Sequence, residues 1–494
     1  MSLSTSIIPT EEQQVIITAA ASRQNLLIAA LAGTGKTSTL KMIAETYPDR
    51  RGLYLSYNKA LQLEAKAKFP SHIDCKTVHG LAYSQIGSLY GQQLQRKLDN
   101  RMIVEAFEIS DFRKGRYFAS APLIASAAFD MVKNFCYSTK EQIEPIHYSR
   151  RLVDILIGKY KNLSFDLSCF SHPQTFLEHF ISLSYEYAQR LWLAMVDKDN
   201  ETIPATHDIY LKLYQLSKPS IQGYEYIMLD EAQDANPSIL NILSHQHIQR
   251  IYVGDKNQQI YEFRGTINAM SQIEGDLYYL TQSFRFGPAI ATLANKVLKS
   301  LGETRLLKGS PIINSKIGPV NKKQPYAFLA RTNAGLFEEI LKLETLGKKV
   351  HFIGDIDKVI RSFESAYYLK MENLNKVYDL NLQKYSSWEK FLYEADLSHD
   401  HEYKAMIVFV ETYKKKCLSI LRRIELTCQY RETEADVTAA TVHKAKGREW
   451  QQVRLHNDFK DMDTAEEKHI LYVALTRASH VLDCPSDYRD SIFS

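Results

Sequence analysis

The stretch Asn25 to Leu40, NLLIAALAGTGKTSTL, limits what this chain can fold into more than any other. Its first half, LLIAAL, is a continuous apolar run of the length of a strand buried on both faces, as in the parallel sheet of an α/β domain. The second half changes character. Gly33 and Gly35 let the backbone turn with its N–H groups inward, where no Cβ obstructs a polyphosphate, and the helix opening near Thr37 favours negative charge at its N-terminus. This is a phosphate-binding loop, in which Lys36 is suited to reach the β- and γ-phosphates of a nucleotide and the Thr37 hydroxyl to ligate Mg²⁺. The first glycine of the usual pattern is replaced by Ala30, a mild departure.

A nucleotide hydrolase also needs one carboxylate to hold hydrated Mg²⁺ and another to orient and deprotonate the attacking water. Asp230 and Glu231 follow the apolar run IMLD and suit these roles in that order, although adjacent acids also cap helices. Gln258 after IYVGD, Arg285 in LTQSFRF and Arg477 in YVALTRA complete a set able to sense the γ-phosphate, because arginine stabilises charge spread over a transferring phosphoryl group. Arg477 is expected in a second domain and contributes only when the domains close. Gln13 has two readings: it completes a capping box with Thr10, or its amide reads the edge of an adenine.

The 494 residues suggest two to four domains, and the composition, 45% hydrophobic and 24% charged, is that of a globular protein. No apolar run approaches the roughly 18 residues of a membrane-spanning helix, and the first residues lack a basic stretch followed by an apolar core. An intracellular protein without a membrane partner is expected, cytoplasmic in a bacterium or phage and nuclear in a eukaryote. Six dispersed cysteines show no metal-binding spacing and read as reduced thiols. A net charge of +4 neither demands nor excludes a nucleic-acid partner.

Along the chain, a second strand (Leu53 to Ser56) precedes a helix beginning near Lys59, and a third short strand ends at Thr77 and His79. A lone histidine is usually structural. From about Tyr90 to His207 the strand signals vanish and helical periodicity predicts an insertion. Strands resume with YEYIMLD and IQRIYVGD. A second set starts near Pro325 with YAFLA, an amphipathic helix closed by Gly347, and KKVHFIG. After about 75 mainly helical residues, VTAATVH, QVRLHND and HVLDC surround the helix that holds LYVALTRA. The expected fold is α/β, with two P-loop-type parallel-sheet domains carrying helical insertions.

Seven segments in order, AGTGKT, DEAQD, VGDKNQQIYEFRG, LTQSFR, LARTN, TVHKAKGREW and LYVALTRA, resemble those of superfamily 1 helicases of the UvrD/Rep type. THDIYLKLYQLSKPS, QQIYEFRG, YYLTQSFRFG and ATVHKAKG are similar to the motor of the F-box DNA helicases. The likeness runs from about Ile8 to Leu482. It implies RecA-like domain 1A over 1–92 and 206–287 with insertion 1B over 93–205, and domain 2A over 288–354 and 436–494 with a short 2B-like insertion over 355–435. With the glutamine motif within ten residues of Met1, no room is expected for an F-box or its ubiquitin-ligase role.

The resemblance implies ATP and Mg²⁺ as cofactors. Ala30, Gly33, Thr34, Gly35, Lys36, Thr37 and Ser38 would line the nucleotide, with Phe284 stacked on adenine and Glu449 on the ribose or phosphate side. It sets Tyr57, Asn58, His79, Tyr261, Phe263, Arg331, Thr332 and His443 along a single-strand track, where stacking is worth about 1 to 3 kcal/mol per base. For Tyr261 and Phe263 the alternative is core packing. Arg448 replaces the usual leucine of its motif. The implied activity is ATP-dependent unwinding, 3′ to 5′, in repair, recombination or genome defence. Single-stranded DNA and its junctions with duplex are the implied substrate, and a protein partner or recombinase filament is the further partner it suggests. Clearing such filaments, or a slow nucleotide switch that binds a partner, are the competing readings.

Overall fold

The structure, a computed structural model, describes residues 8–160, 163–169, 173–260, 269–379, 381–383, 385–397, 401–459 and 464–485. Fourteen strands occur among them. In chain order they are β1 Leu26–Ala30, β2 Gly52–Ser56, β3 Ile73–Thr77, β4 Phe112–Lys114, β5 Tyr117–Ala119, β6 Tyr226–Leu229 and β7 Gln249–Gly254. There follow β8 Asp276–Leu280, β9 Lys316–Ile317, β10 Tyr326–Ala330, β11 Val350–Phe352, β12 Val437–Thr441, β13 Trp450–Leu455 and β14 Ala478–Asp483. The α/β fold with parallel sheets is as the sequence predicts.

The chain divides into two compact units. One comprises Met1–Leu81, Lys218–Arg331 and Asp436–Ser494; the other comprises Ala82–Ser217 and Thr332–Ala435.

The first unit holds a six-stranded parallel sheet in the order β3-β2-β6-β7-β1-β8. β1 lies between β7 and β8, with Ile28 opposite Val253 on one side and Tyr278 on the other. Leu26 and Ile28 are fully buried, each worth about 1.5–3 kcal/mol of transfer free energy. They pack with Ile16, Leu40, Ile43, Met228 and Val253 into a core covering one face of the sheet. The same unit contains strands of a second parallel sheet, in the order β12-β10-β13-β14-β9. β10, YAFLA, is buried along its whole length between β12 and β13.

The second unit is mainly helical. Helices Ala121–Tyr137 and Phe176–Val196 pack along one another, and Ile124, Ala128, Met131 and Phe135 share a core with Phe180, Ile181, Ala188 and Leu191. Spacings of three and four residues in the first set, and of seven and three from Ile181 through Ala188 to Leu191, put each set along one helix face.

Three expectations need correction. The insertion is not free of strands: β4 and β5 form an antiparallel hairpin inside it. Strands of three residues, FRK and YFA, are too short for a periodicity window to register. β8, which the sequence did not suggest, forms an edge of the first sheet, and half-exposed Leu277 weakens its apolar signature. Finally, β3 stops at Thr77 and β12 at Thr441, so His79 and His443 lie on the short helices Val78–Gln85 and Val442–Ala445 rather than on strands.

Candidate functional site

The loop after β1 owes its shape to Gly33 (φ 73°) and Gly35 (φ 77°), both in the left-handed region. Gly33 is required twice over. A Cβ there would stand 2.6 Å from Ser283 Oγ and 2.8 Å from Arg285 Cβ, so a side chain would collide as well as strain the backbone. Phe284 N–H donates to Gly33 carbonyl oxygen at 2.8 Å, which pins the loop to the segment after β8. Thr34 Oγ1 donates to Leu31 carbonyl oxygen, Ala30 is buried at the end of β1, and Ser38 is exposed on the outer side of helix Lys36–Thr46.

Three groups converge on the carboxylate at the end of β6. Thr37 Oγ1 donates to Asp230 Oδ2 at 2.6 Å, Tyr54 hydroxyl to the same oxygen at 2.9 Å, and Glu231 N–H to Oδ1 at 2.9 Å. Lys36 Nζ lies 3.2 Å from Glu231 Oε1. Burial, then Glu231, raises the Asp230 carboxyl above its ordinary value against the pull of Lys36. Burial would raise Glu231 too, but Lys36 and then Lys446 outweigh it and hold that carboxyl at about 2. Burial alone would lower Lys36; the carboxylates of Glu231, Asp255 and Asp230 reverse the sign and keep it charged. Glu231 itself sits at φ 53°, a left-handed conformation that costs about 1–3 kcal/mol for a residue with a side chain and aims it across the loop.

The arginines come from two places. Arg285 follows β8; its Nε donates to Glu449 Oε2 at 2.6 Å and its Nη1 to Thr476 carbonyl oxygen at 3.2 Å. Arg477 precedes β14 and is 1% exposed. Its Nε donates to Val473 carbonyl oxygen, its Nη1 to Arg448 carbonyl oxygen and its Nη2 to Gln258 Oε1 at 3.4 Å. Burial, with Arg285 nearby, lowers its guanidinium below the ordinary value. Gln258 also donates through Nε2 to Asp255 Oδ2 at 2.7 Å. Lys36, Asp230, Glu231, Gln258, Arg285 and Arg477 are thus neighbours although they span more than four hundred positions.

On the other side of the loop, a Cβ at Gly35 would lie 3.4 Å from both the Phe284 ring and Gln13 Nε2. The Phe284 ring is 46% exposed beside the loop, as a base-stacking surface requires. Gln13 completes the capping box, its Oε1 accepting from Thr10 N–H at 3.0 Å, and its Nε2 also donates to Thr39 Oγ1. Glu449 keeps an exposed carboxylate.

Three participants were not anticipated. Tyr472 accepts from Ala32 N–H at 2.9 Å and donates to Asp255. Lys446 Nζ donates to both oxygens of Asp234, at 2.9 and 2.7 Å, and to Gln258 carbonyl oxygen at 2.7 Å. Glu12 accepts from Thr281 N–H and Oγ1, tying the first helix to the end of β8. Tyr472 and Lys446 lie in the segments LYVALTRA and TVHKAKG; the hydroxyl of Tyr472 within an apolar run was a sequence signal, whereas Lys446 stands in a basic stretch that gave none.

The residues of the site fit a nucleotide phosphate with Mg²⁺. The loop excludes any Cβ at Gly33, and a hydroxyl and a carboxylate meet 2.6 Å apart as a hard-oxygen pair of the kind Mg²⁺ takes.

Of the residues expected along a single strand, Tyr57 and His79 follow the paired strands β2 and β3, and Arg331 and His443 follow the paired strands β10 and β12. In the first unit, Tyr57 is half-buried, exposed Asn58 caps the next helix by accepting from Leu61 N–H, and His79 is half-buried. Arg331 is held by Glu467 through both carboxylate oxygens at 2.8–3.1 Å. Burial, then Arg331, keeps His443 down at about 4. Thr332 belongs to the second unit, where it caps helix Asn333–Thr345. Tyr261 and Phe263 lie outside the described residues.

A glycine-rich loop after an inner strand, carboxylates at the end of the next strand but one and arginines reaching the same point define a P-loop protein with two RecA-like parallel sheets. The chain belongs to the UvrD/REP helicase family: residues 10–277 match the UvrD/REP helicase N-terminal domain, and residues 436–482 the UvrD-like helicase C-terminal domain. It is 30% identical to F-box DNA helicase 1 of Gallus gallus, over 96% of this chain and 48% of that protein. It is 31% identical to F-box DNA helicase protein 1 of Schizosaccharomyces pombe, over 95% and 56%. To ATP-dependent DNA helicase PcrA of Staphylococcus epidermidis it is 25% identical, over 66% and 44%. The chain spans about half the length of these relatives.

Proposed function

We propose that this protein hydrolyses ATP with Mg²⁺ and uses the cycle to move 3′ to 5′ along single-stranded DNA and separate duplexes. The observation that carries the reading is the meeting of Arg477 with Gln258 around Lys36 and the Asp230–Glu231 pair. The Gly33–Gly35 loop and Lys36 bind the phosphates, Phe284 and Gln13 flank the base, and Glu449 with Arg285 closes the ribose side. Bound Mg²⁺, held by Thr37 and Asp230, would supply charge neutralisation at the phosphates. Glu231, kept ionised by Lys36 and Lys446, is the group able to take a proton from water.

Arg285 and Arg477 stabilise charge at the γ-position and lose that partner after hydrolysis, which makes the sheets' closure depend on the nucleotide. In this reading 1–92 with 206–287, and 288–354 with 436–494, form the two motor domains. Tyr57, Asn58, His79, Tyr261, Phe263, Arg331, Thr332 and His443 border the strand, and 93–205 and 355–435 are insertions.

ATP turnover with and without oligo-dT, followed by unwinding of two duplexes tailed on opposite ends, tests this. DNA-stimulated turnover and preference for the 3′ tail are expected. Turnover indifferent to DNA overturns the motor, and preference for the 5′ tail overturns the polarity.

A further inference from the structure

Tyr54 stands outside the seven segments that carry the helicase resemblance, yet its hydroxyl ends on the carboxylate of the phosphate site. The register of the sheet explains how it arrives there. Tyr54 on β2 lies opposite Met228 on β6, and Asp230 follows Met228 by two residues, so both side chains leave the same face of the sheet. The pairing continues past the strand end, where Asp230 N–H donates to Leu55 carbonyl oxygen at 3.0 Å. Two residues advance a strand by about 6.6 Å, a span that a phenol covers and the hydroxyl of serine or threonine does not.

The ring is held firmly. It is buried, meets the Phe69 ring at 4.9 Å and shares the core that contains Ile28, Leu40 and Met228.

What the hydroxyl does there follows from the acceptor directions of the carboxylate. An ionised carboxylate offers about four, two on each oxygen. On Asp230, Oδ2 accepts from Tyr54 at 2.9 Å and from Thr37 at 2.6 Å, while Oδ1 accepts from Glu231 N–H at 2.9 Å. One direction remains, on Oδ1. Thr37 and Glu231 belong to the nucleotide site itself, whereas Tyr54 is the donor anchored in the sheet core. Removing it leaves Oδ2 with a single donor and the carboxylate freer to turn. Carboxylates that hold metal ions are set in place by such outer partners, and losing one costs about 10–100-fold in metal affinity.

We propose that Tyr54 is a positioning residue: its hydroxyl fixes the rotation of the Asp230 carboxylate, so that one acceptor direction, on Oδ1, is kept for the Mg²⁺ of the nucleotide or a water bound to it. The inference rests on the reading that this site holds a magnesium nucleotide.

The test is the Mg²⁺ concentration that half-saturates binding of a fluorescent, non-hydrolysable ATP analogue to wild type, Tyr54→Phe and Phe69→Leu. Tyr54→Phe removes one oxygen, and Phe69→Leu loosens the packing of the ring while leaving its hydroxyl. In Tyr54→Phe the half-saturating Mg²⁺ is expected to rise about tenfold, with affinity for the same analogue in EDTA unchanged. Phe69→Leu should melt at a lower temperature and keep the wild-type Mg²⁺ dependence. An unchanged Mg²⁺ dependence in Tyr54→Phe overturns the proposal. An equal shift in both variants overturns it too, as does a Tyr54→Phe chain that does not fold, since each makes Tyr54 a packing residue. Wild-type binding of the analogue that is indifferent to Mg²⁺ would instead overturn the reading of the site.

Discussion

The hydroxyl of Tyr472, in helix Ala465–Leu475, accepts the backbone N–H of Ala32 at the mouth of the phosphate loop, 2.9 Å away. It also donates to Asp255 Oδ2 at 3.3 Å, and Asp255 accepts in turn from Gln258. Burial pushes this phenol well above its ordinary value, so it remains a hydroxyl at any working pH. One side chain therefore ties the loop that begins the site to the strand end that carries its glutamine.

Tyr472→Phe keeps the ring and removes the oxygen, leaving Ala32 N–H and Asp255 each a partner short. An unsatisfied buried group costs about 1–3 kcal/mol. The variant should melt several degrees lower and turn over ATP more slowly. An unchanged melting temperature together with unchanged turnover would show that the contact carries no weight.

Lys36→Ala should abolish ATP turnover, since Lys36 is the cation of the phosphate loop and pairs directly with Glu231. Glu231→Gln should retain nucleotide affinity while its turnover falls by about 10²–10⁴, the range for loss of a general base. Fluorescent-nucleotide binding and steady-state hydrolysis separate the two effects. Turnover at the wild-type rate in either variant removes the assignment.

Acidification should destabilise the protein through His443. Its folded value of about 4 lies below the ordinary 6.5 because burial, and then Arg331, penalise the charged ring. Between those two pH values the unfolded chain holds the proton and the folded one does not. Stability is therefore lost as pH falls through this window, by at most about 3 kcal/mol from this group. Melting temperatures measured from pH 7 to pH 4.5 should fall less steeply in His443→Asn than in wild type. Parallel curves would refute the assignment.

Arg331 and Glu467 form a two-toothed pair with little solvent access. Removing one partner of such a pair costs about 3–5 kcal/mol, whereas replacing both by apolar residues costs far less. Arg331→Leu should melt well below the Arg331→Leu/Glu467→Leu double variant. If the single variant instead melts like wild type and loses only DNA affinity, the arginine serves the strand rather than the fold.

The neighbourhood of each residue was enough to fix several features. Five consecutive apolar residues followed by Gly33 and Gly35 specify strand, loop and helix, because apolar runs and positive-φ glycines act within a few positions. The acids after IMLD and the arginines in LTQSFRF and LTRA were legible for the same reason: their segments end buried strands or lie beside them. The capping roles of Thr10 with Gln13 and of Asn58 are equally local.

Tertiary structure decided the partnerships. That Arg285 meets Glu449, that Arg331 is enclosed by Glu467, that Lys446 joins Asp234 and that Tyr472 reaches Ala32 depends on segments from about 130 to 440 positions apart arriving at one place. The left-handed backbone of Glu231 and the short hairpin β4–β5 were likewise hidden. Such features follow from long-range packing, in which a polar side chain takes the nearest partner that burial leaves available, and no local preference along the chain encodes which one that is.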